Sequence, residues 1–124
     1  AIAGWSFGHA TGWYPDRWKE DIAGALAEMQ RVVRPGGGMV IIETLGTGSE
    51  TPKPPVQSLA DYYHWLETDR GFSGTWIRTD YQFASVTEAD ELTRFFFGNY
   101  LADRIVREQM TILPECTGIW WRTV

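Results

Sequence analysis

The sequence predicts an α/β domain organised around a partly parallel sheet. Three observations point there: an apolar run rich in β-branched residues at 39–42, helix-spaced apolar positions just before it, and a Pro-Gly break between the two. A continuous run of that kind is what a strand covered on both faces needs, whereas a half-exposed strand alternates. Helices interleaved with short strands are the signature of crossover units.

Taken in order, residues 2–7 form a short apolar strand that ends in a Gly-His-Ala-Thr-Gly loop. Beyond Pro15 and Asp16, apolar side chains recur at Trp18, Ile22, Ala25, Leu26, Met29, Val32 and Val33, while Lys19, Glu20, Asp21 and Glu28 take the other face. That spacing is one side of a helix. Pro35-Gly36 stops it, because proline cannot continue a helix and glycine accepts the left-handed cap. The run at 39–42 follows as a central parallel strand. Residues 46–55, GTGSETPKPP, have linker composition, and their prolines make a stiff loop. A second helix is expected over 56–69, with Leu59, Tyr62, Tyr63 and Leu66 on one side and Gly71-Phe72 as its stop. Ile77, Thr79, Tyr81 and Phe83 share a face of a strand over 75–83. Ser85-Val86-Thr87-Glu88 has the form of a capping box, so a third helix starts there and runs to about residue 109, with Leu92, Phe95, Phe96 and Tyr100 on its buried side and Gly98 loosening it. After Pro114, residues 118–123 close the chain as a Trp-rich strand, in which Trp120 and Trp121 point to opposite faces.

Composition narrows the function. Eleven Lys and Arg against sixteen Asp and Glu give a net charge of -5, and no basic stripe offers the electrostatic footprint of nucleic-acid binding. No apolar run approaches the roughly 18 residues that span a bilayer, so no membrane partner is expected. Cys116 is the single cysteine, which forbids an internal disulfide, suits a cytoplasmic location and leaves no zinc-spaced cluster. It has no cationic sequence neighbour to activate it, and an unreactive thiol is expected. The chain opens directly on Ala-Ile-Ala-Gly-Trp, as either a true start after removal of Met or a piece of a longer polypeptide.

Two glycine clusters flank the apolar run. A phosphate-cradling loop needs a strand, then glycines, then a helix whose free N–H groups face the ligand. Gly36-Gly37-Gly38 follows a helix and precedes a strand, so it is expected to be a tight turn. Gly46-Thr47-Gly48 follows a strand but leads into prolines. Neither grips a ligand by itself.

The pattern around the first cluster carries more. "RVVRPGGGMVIIE" resembles the helix, turn and fifth strand of class I S-adenosylmethionine-dependent methyltransferases, of the bacterial type 11 kind. "IAGWSFGH" is similar to the fourth strand and its loop, "GFSGTWIRTDYQF" to the sixth strand, and "CTGIWWRTV" to the antiparallel seventh. The resemblance implies half of a Rossmann-like sheet in the order fourth, fifth, seventh, sixth, with helices packed on it. The acidic-Gly-x-Gly-x-Gly loop of the first half is missing, so the main grip on the cofactor, S-adenosylmethionine, lies outside this chain. Without the neighbouring first strand, the edge at residues 2–7 is expected to pair with a second copy or with an N-terminal half.

The same resemblance places Trp5, Ser6, Phe7 and Gly8 beside the methionine end of the cofactor, with His9 as candidate general base. Methyl transfer from a sulfonium is an in-line displacement, so alignment and a dry pocket do most of the work and a base assists. Trp13 and Tyr14, Glu43 at the strand end, and Tyr62 and Tyr63 as an aromatic lid are candidates for contact with a small-molecule acceptor. Each has a plainer alternative: His9 bonded to backbone, Glu43 solvated or capping a helix, the aromatics packed in the core, and Arg78 with Asp80 a simple ion pair. For the whole chain, the alternative to a methyltransferase is an inactive remnant serving as a dimerising interaction module, or a binder of small aromatic ligands.

Overall fold

A computed structural model describes all residues, 1–124. The elements run β1 (Ile2–Gly4), α1 (Gly8–Trp13), α2 (Trp18–Val32), β2 (Gly38–Thr47), α3 (Gln57–Thr68), β3 (Ser73–Arg78), β4 (Tyr81–Gln82), α4 (Val86–Phe97), α5 (Asn99–Glu108), β5 (Ile112–Leu113) and β6 (Glu115–Thr123). The fold is α/β, with a mixed four-stranded sheet in the order β1-β2-β6-β3 and a separate two-stranded ribbon of β4 and β5. β1 runs parallel to β2, with Ile2 opposite Val40 and Gly4 opposite Ile42. β6 lies antiparallel between β2 and β3. No helix is long and apolar enough to cross a membrane.

The core lies on one side of the sheet. Trp18, Ile22 and Leu26 of α2 and Tyr62, Tyr63, Trp65 and Leu66 of α3 pack on Met39, Ile41 and Trp120. Each such aliphatic side chain contributes about 1.5–3 kcal/mol by leaving water. The continuous run at 39–42 was expected to be covered on both faces, and it is not: Met39, Ile41 and Glu43 are buried, whereas Val40, Ile42 and Thr44 are only half-buried. Both large helices sit on the same side. The opposite face, carrying Val40, Ile42, Ile119 and Trp121, has no helical layer like theirs. A second, small core joins Ala89 of α4, Ile105 of α5 and Leu113 of β5.

Several expected boundaries move. The strand at residues 2–7 ends at Gly4, and the following loop is helical, because Glu43 caps its start. The strand over 75–83 divides at Thr79 and Asp80, where Arg78 and Asp80 form a 2.7 Å ion pair and Asp80 accepts the Glu115 N–H. The last strand begins earlier, at Glu115 rather than residue 118.

The long third helix is two helices. Gly98, at φ 90° and ψ 176°, interrupts it in a region open essentially to glycine alone. Small residues, Ala89 and Thr93 on α4 and Ala102 on α5, turn inward. Leu92, Phe95, Phe96 and Tyr100 were expected on the buried side and are exposed instead, Phe95 at 81% and Tyr100 at 88%. The serine half of the box at the start of α4 forms, with Ser85 Oγ accepting the Glu88 N–H, while the Glu88 carboxylate reaches one residue further back and accepts the Ala84 N–H.

Gly36-Gly37-Gly38 is the tight turn its position requires. Gly36 has φ 80°, and a Cβ on Gly37 would fall 2.6 Å from Val33 Cγ1. The turn is tied to the chain end, with Gly36 N–H donating to Val124 C=O and Val124 N–H to Gly37 C=O. Gly46 and Gly48 also have positive φ; a Cβ on the first would meet the Lys53 carbonyl and one on the second Leu101. That second cluster lets β2 and its following loop press against α5.

Candidate functional site

A cleft of about 970 Å³ opens where β1 and β2 end, closed on the far side by α5 and β4. That volume suits a small ligand, and the carboxyl ends of parallel strands are where ligands bind such sheets. Its floor is Thr44, Gly46 and Glu115, and aromatic walls come from Trp5, Tyr81, Phe97 and Tyr100. Lys53, Arg104 and Arg107 supply positive charge.

Trp5 reaches this cleft because the backbone bends sharply after β1. Its φ is 47°, left-handed for a non-glycine residue, and its N–H donates to Ile42 C=O at 2.7 Å. The ring is 55% exposed at the rim. Such a conformation costs about 1–3 kcal/mol and persists only where its surroundings fix it.

Glu43 does the fixing. It is 4% exposed, and its Oε1 accepts the Gly8 N–H at 3.0 Å, with the Phe7 and Ser6 N–H groups also turned toward it. Burial raises its carboxyl above the ordinary value, and the backbone donors and nearby His9 only partly offset that. A Cβ on Gly8 would sit 2.9 Å from Leu59 Cδ2 and 3.2 Å from the Glu43 carboxylate, so glycine is needed for this approach. Glu43 therefore positions the loop from behind, which is the capping alternative rather than contact with an acceptor.

The other nominated residues divide. Ser6, Phe7, Trp13 and Tyr14 come together in a second, shallower groove of about 360 Å³ against α2, where Arg17 lies over the Tyr14 ring at 4.7 Å. His9 is exposed on α1, its ring stacked on Trp13 at 5.2 Å, and it lines neither cleft. Tyr62 and Tyr63 are core residues, not a lid. Tyr62 is fully enclosed, and Tyr63 donates to Thr44 C=O at 2.6 Å and stacks on Trp120. Burial, seconded by the Glu43 carboxylate, pushes both phenols up, so they stay protonated. Cys116 is buried with its thiol pushed up by burial, and its Sγ approaches the Ser49 carbonyl.

Sequence reading missed Glu115. Its side chain is 97% removed from solvent (3% exposed), Oε1 accepts the Thr44 hydroxyl at 2.7 Å, and Oε2 has no hydrogen-bond partner in the protein. A signal was present: Glu115 is the one charged residue in ILPECTGIWW. Arg104 and Arg107 share the spacing of one helix face with Tyr100, at i, i+4 and i+7.

No group of three or more His, Cys, Asp and Glu is placed to hold a metal ion. Compared with known proteins, the chain matches no family model, no curated protein and no solved structure.

Proposed function

We propose that the chain forms the acceptor-side half of a class I S-adenosylmethionine-dependent methyltransferase acting on a small molecule. The observation that carries this reading is the sheet order β1-β2-β6-β3 with β6 entering antiparallel. It supports reading these strands as the fourth, fifth, seventh and sixth of that family. The large cleft at the carboxyl ends of β1 and β2 lends further support.

The residues present do not fit the whole cofactor. At the tight junction from β1 to α1, the N–H groups that could meet a ligand already face Glu43. Trp5, Ser6, Phe7 and Gly8 can therefore wall the cofactor but not hold it. In this reading the grip on S-adenosylmethionine comes from another part of the polypeptide or a second copy, joined at the free edge of β1. Ile2 and Gly4 present that edge, because the Ala1 carbonyl and the Trp5 N–H already bond β2.

The test is transfer of labelled methyl from S-adenosylmethionine to pooled small-molecule acceptors, by the protein isolated as it occurs in the cell. Label in the small-molecule fraction supports the reading. No transfer, together with no heat of binding for S-adenosylmethionine, refutes it. A second reading, an inactive interaction module, is favoured by one observation: the sheet face opposite the core exposes Ile2, Ile77 and Trp121.

A further inference from the structure

We propose that the 970 Å³ cleft selects a planar, bifunctional small molecule: an aromatic ring system bearing a carboxylate at one end and a hydroxyl or amine hydrogen-bond donor at the other. This names the acceptor class for the methyltransferase reading and rests on it only for the fate of the molecule, since binding stands on the cleft alone.

Three features specify the ligand. The first is Glu115. A buried carboxylate oxygen without a partner is costly, and Oε2 is such an atom, on a residue that lines the open cleft. The side chain cannot turn away to find a partner elsewhere. Its Oε1 is held by the Thr44 hydroxyl, Thr44 C=O is held by Tyr63, and the Glu115 N–H is held by Asp80. Oε2 is itself screened from solvent, so a ligand donor satisfies it once a small shift of the lining uncovers it, and an acceptor there is repelled.

Charge is the second. On a chain of net charge -5, this lining carries Lys53, Arg104 and Arg107 against Glu115 alone. Arg104 is engaged by Glu108 and the Gly48 carbonyl, whereas neither Lys53 nor Arg107 is in any of the ion pairs of the protein. Two free cations on the rim suit an anionic group. The third feature is the aromatic wall, where Trp5 and Tyr100 keep much of their ring surface in water and gain by covering a flat apolar ligand.

The experiment is calorimetry of the chain without cofactor against three matched probes. 6-Hydroxy-2-naphthoate carries both groups, 2-naphthoate lacks the donor, and 2-naphthol lacks the carboxylate. The first is expected to bind at least tenfold more tightly than either of the others. Glu115→Gln should shrink the preference over 2-naphthoate to less than threefold. Should that buried substitution unfold the protein, Lys53→Met with Arg107→Met, both at exposed positions, should weaken the hydroxynaphthoate about tenfold and leave 2-naphthol unchanged. Equal affinities for the three probes, no binding of the first at millimolar concentration, or an unaffected double variant would overturn the assignment. Selective binding, with neither methyl transfer by the protein isolated from the cell nor heat of binding for S-adenosylmethionine, removes the methyltransferase reading and leaves this one. Transfer confined to molecules lacking a carboxylate does the reverse.

Discussion

Gly118→Ala is the sharpest test of how the sheet is packed beneath the cleft. A Cβ at this position would lie 2.3 Å from Trp120 Cη2, 2.5 Å from Cζ3 and 2.9 Å from Leu45 Cδ1. Carbon atoms in ordinary contact are about 3.5–4.0 Å apart, so the ring must retreat by roughly an ångström or more. It has little room to do so, being 2% exposed, stacked on Tyr63 at 4.4 Å and bonded through Nε1 to Glu67 Oε1 at 2.9 Å. Overpacking alone costs about 1–3 kcal/mol. A displaced ring also gives up part of an aromatic pair, about 0.5–1.5 kcal/mol, and a hydrogen bond to a charged group, about 1.5–3 kcal/mol. These overlap, so the expected loss is about 3–5 kcal/mol, read as a lower urea midpoint with unchanged slope. Trp120→Phe removes the two ring atoms that come closest and leaves the Leu45 contact, so in a double-mutant cycle the Gly118→Ala cost should fall by at least half on that background. A cost within about 0.5 kcal/mol of zero for Gly118→Ala alone, or no coupling to Trp120, would refute the packing described.

Two further outcomes follow from the loop and the edge. Because burial raises the Glu43 carboxyl in the folded state, the ionised form weakens the fold at pH 7, and that penalty disappears as pH falls through the raised value to below the ordinary carboxyl value of 4.5. Glu43→Gln keeps an acceptor for the Gly8 N–H, so it should be at least as stable as wild type at pH 7 and lose that advantage by pH 4.5; an advantage that grows on acidification contradicts this. If the β1 edge pairs with a second copy, light scattering after size exclusion should give a mass above the 14.1 kDa of one chain, and Ile2→Lys should return it to one chain without loss of stability. A wild-type monomer at the same concentration rejects the edge pairing.

The parts of the fold that were legible in the sequence are those whose partners lie close together along the chain. The α2 face shows in its spacing, and the box at Ser85 and Glu88 spans three residues. The turn at Gly36 is announced by the proline before it. Burial on α4 and α5 was not legible, because which face turns inward depends on Gly98 and on close helix-to-helix contact. Bulky Phe95 and Phe96 read as core by hydrophobicity, yet Ala89, Thr93 and Ala102 occupy the contact. The candidate site was half legible for the same reason. Its loop stands out in sequence, but Glu43 meets Gly8 across 35 residues and Glu115 meets Thr44 across 71. Single-sequence patterns do not record such separations.

Those two carboxylates also explain how one short loop serves two clefts. The left-handed turn at Trp5 sends its ring to the large cleft and the next two residues to the groove beside Trp13 and Tyr14. A strained turn of this kind relaxes unless both sides hold it. Ile42 C=O holds the Trp5 N–H on one side, and Glu43, the next residue of the same strand, holds the start of α1 on the other. β2 thus clamps the loop with consecutive residues, one through its backbone and one through its side chain. Two residues further along from the first contact, Thr44 orients Glu115 on the cleft floor. The three successive positions Ile42, Glu43 and Thr44 therefore set the rim, the loop and the floor together. A ligand that presses on Trp5 and bonds Glu115 is read there by one rigid strand end, so selectivity for its donor end depends on the register of β2 against β1 and β6, while Lys53 and Arg107 act on its anionic end.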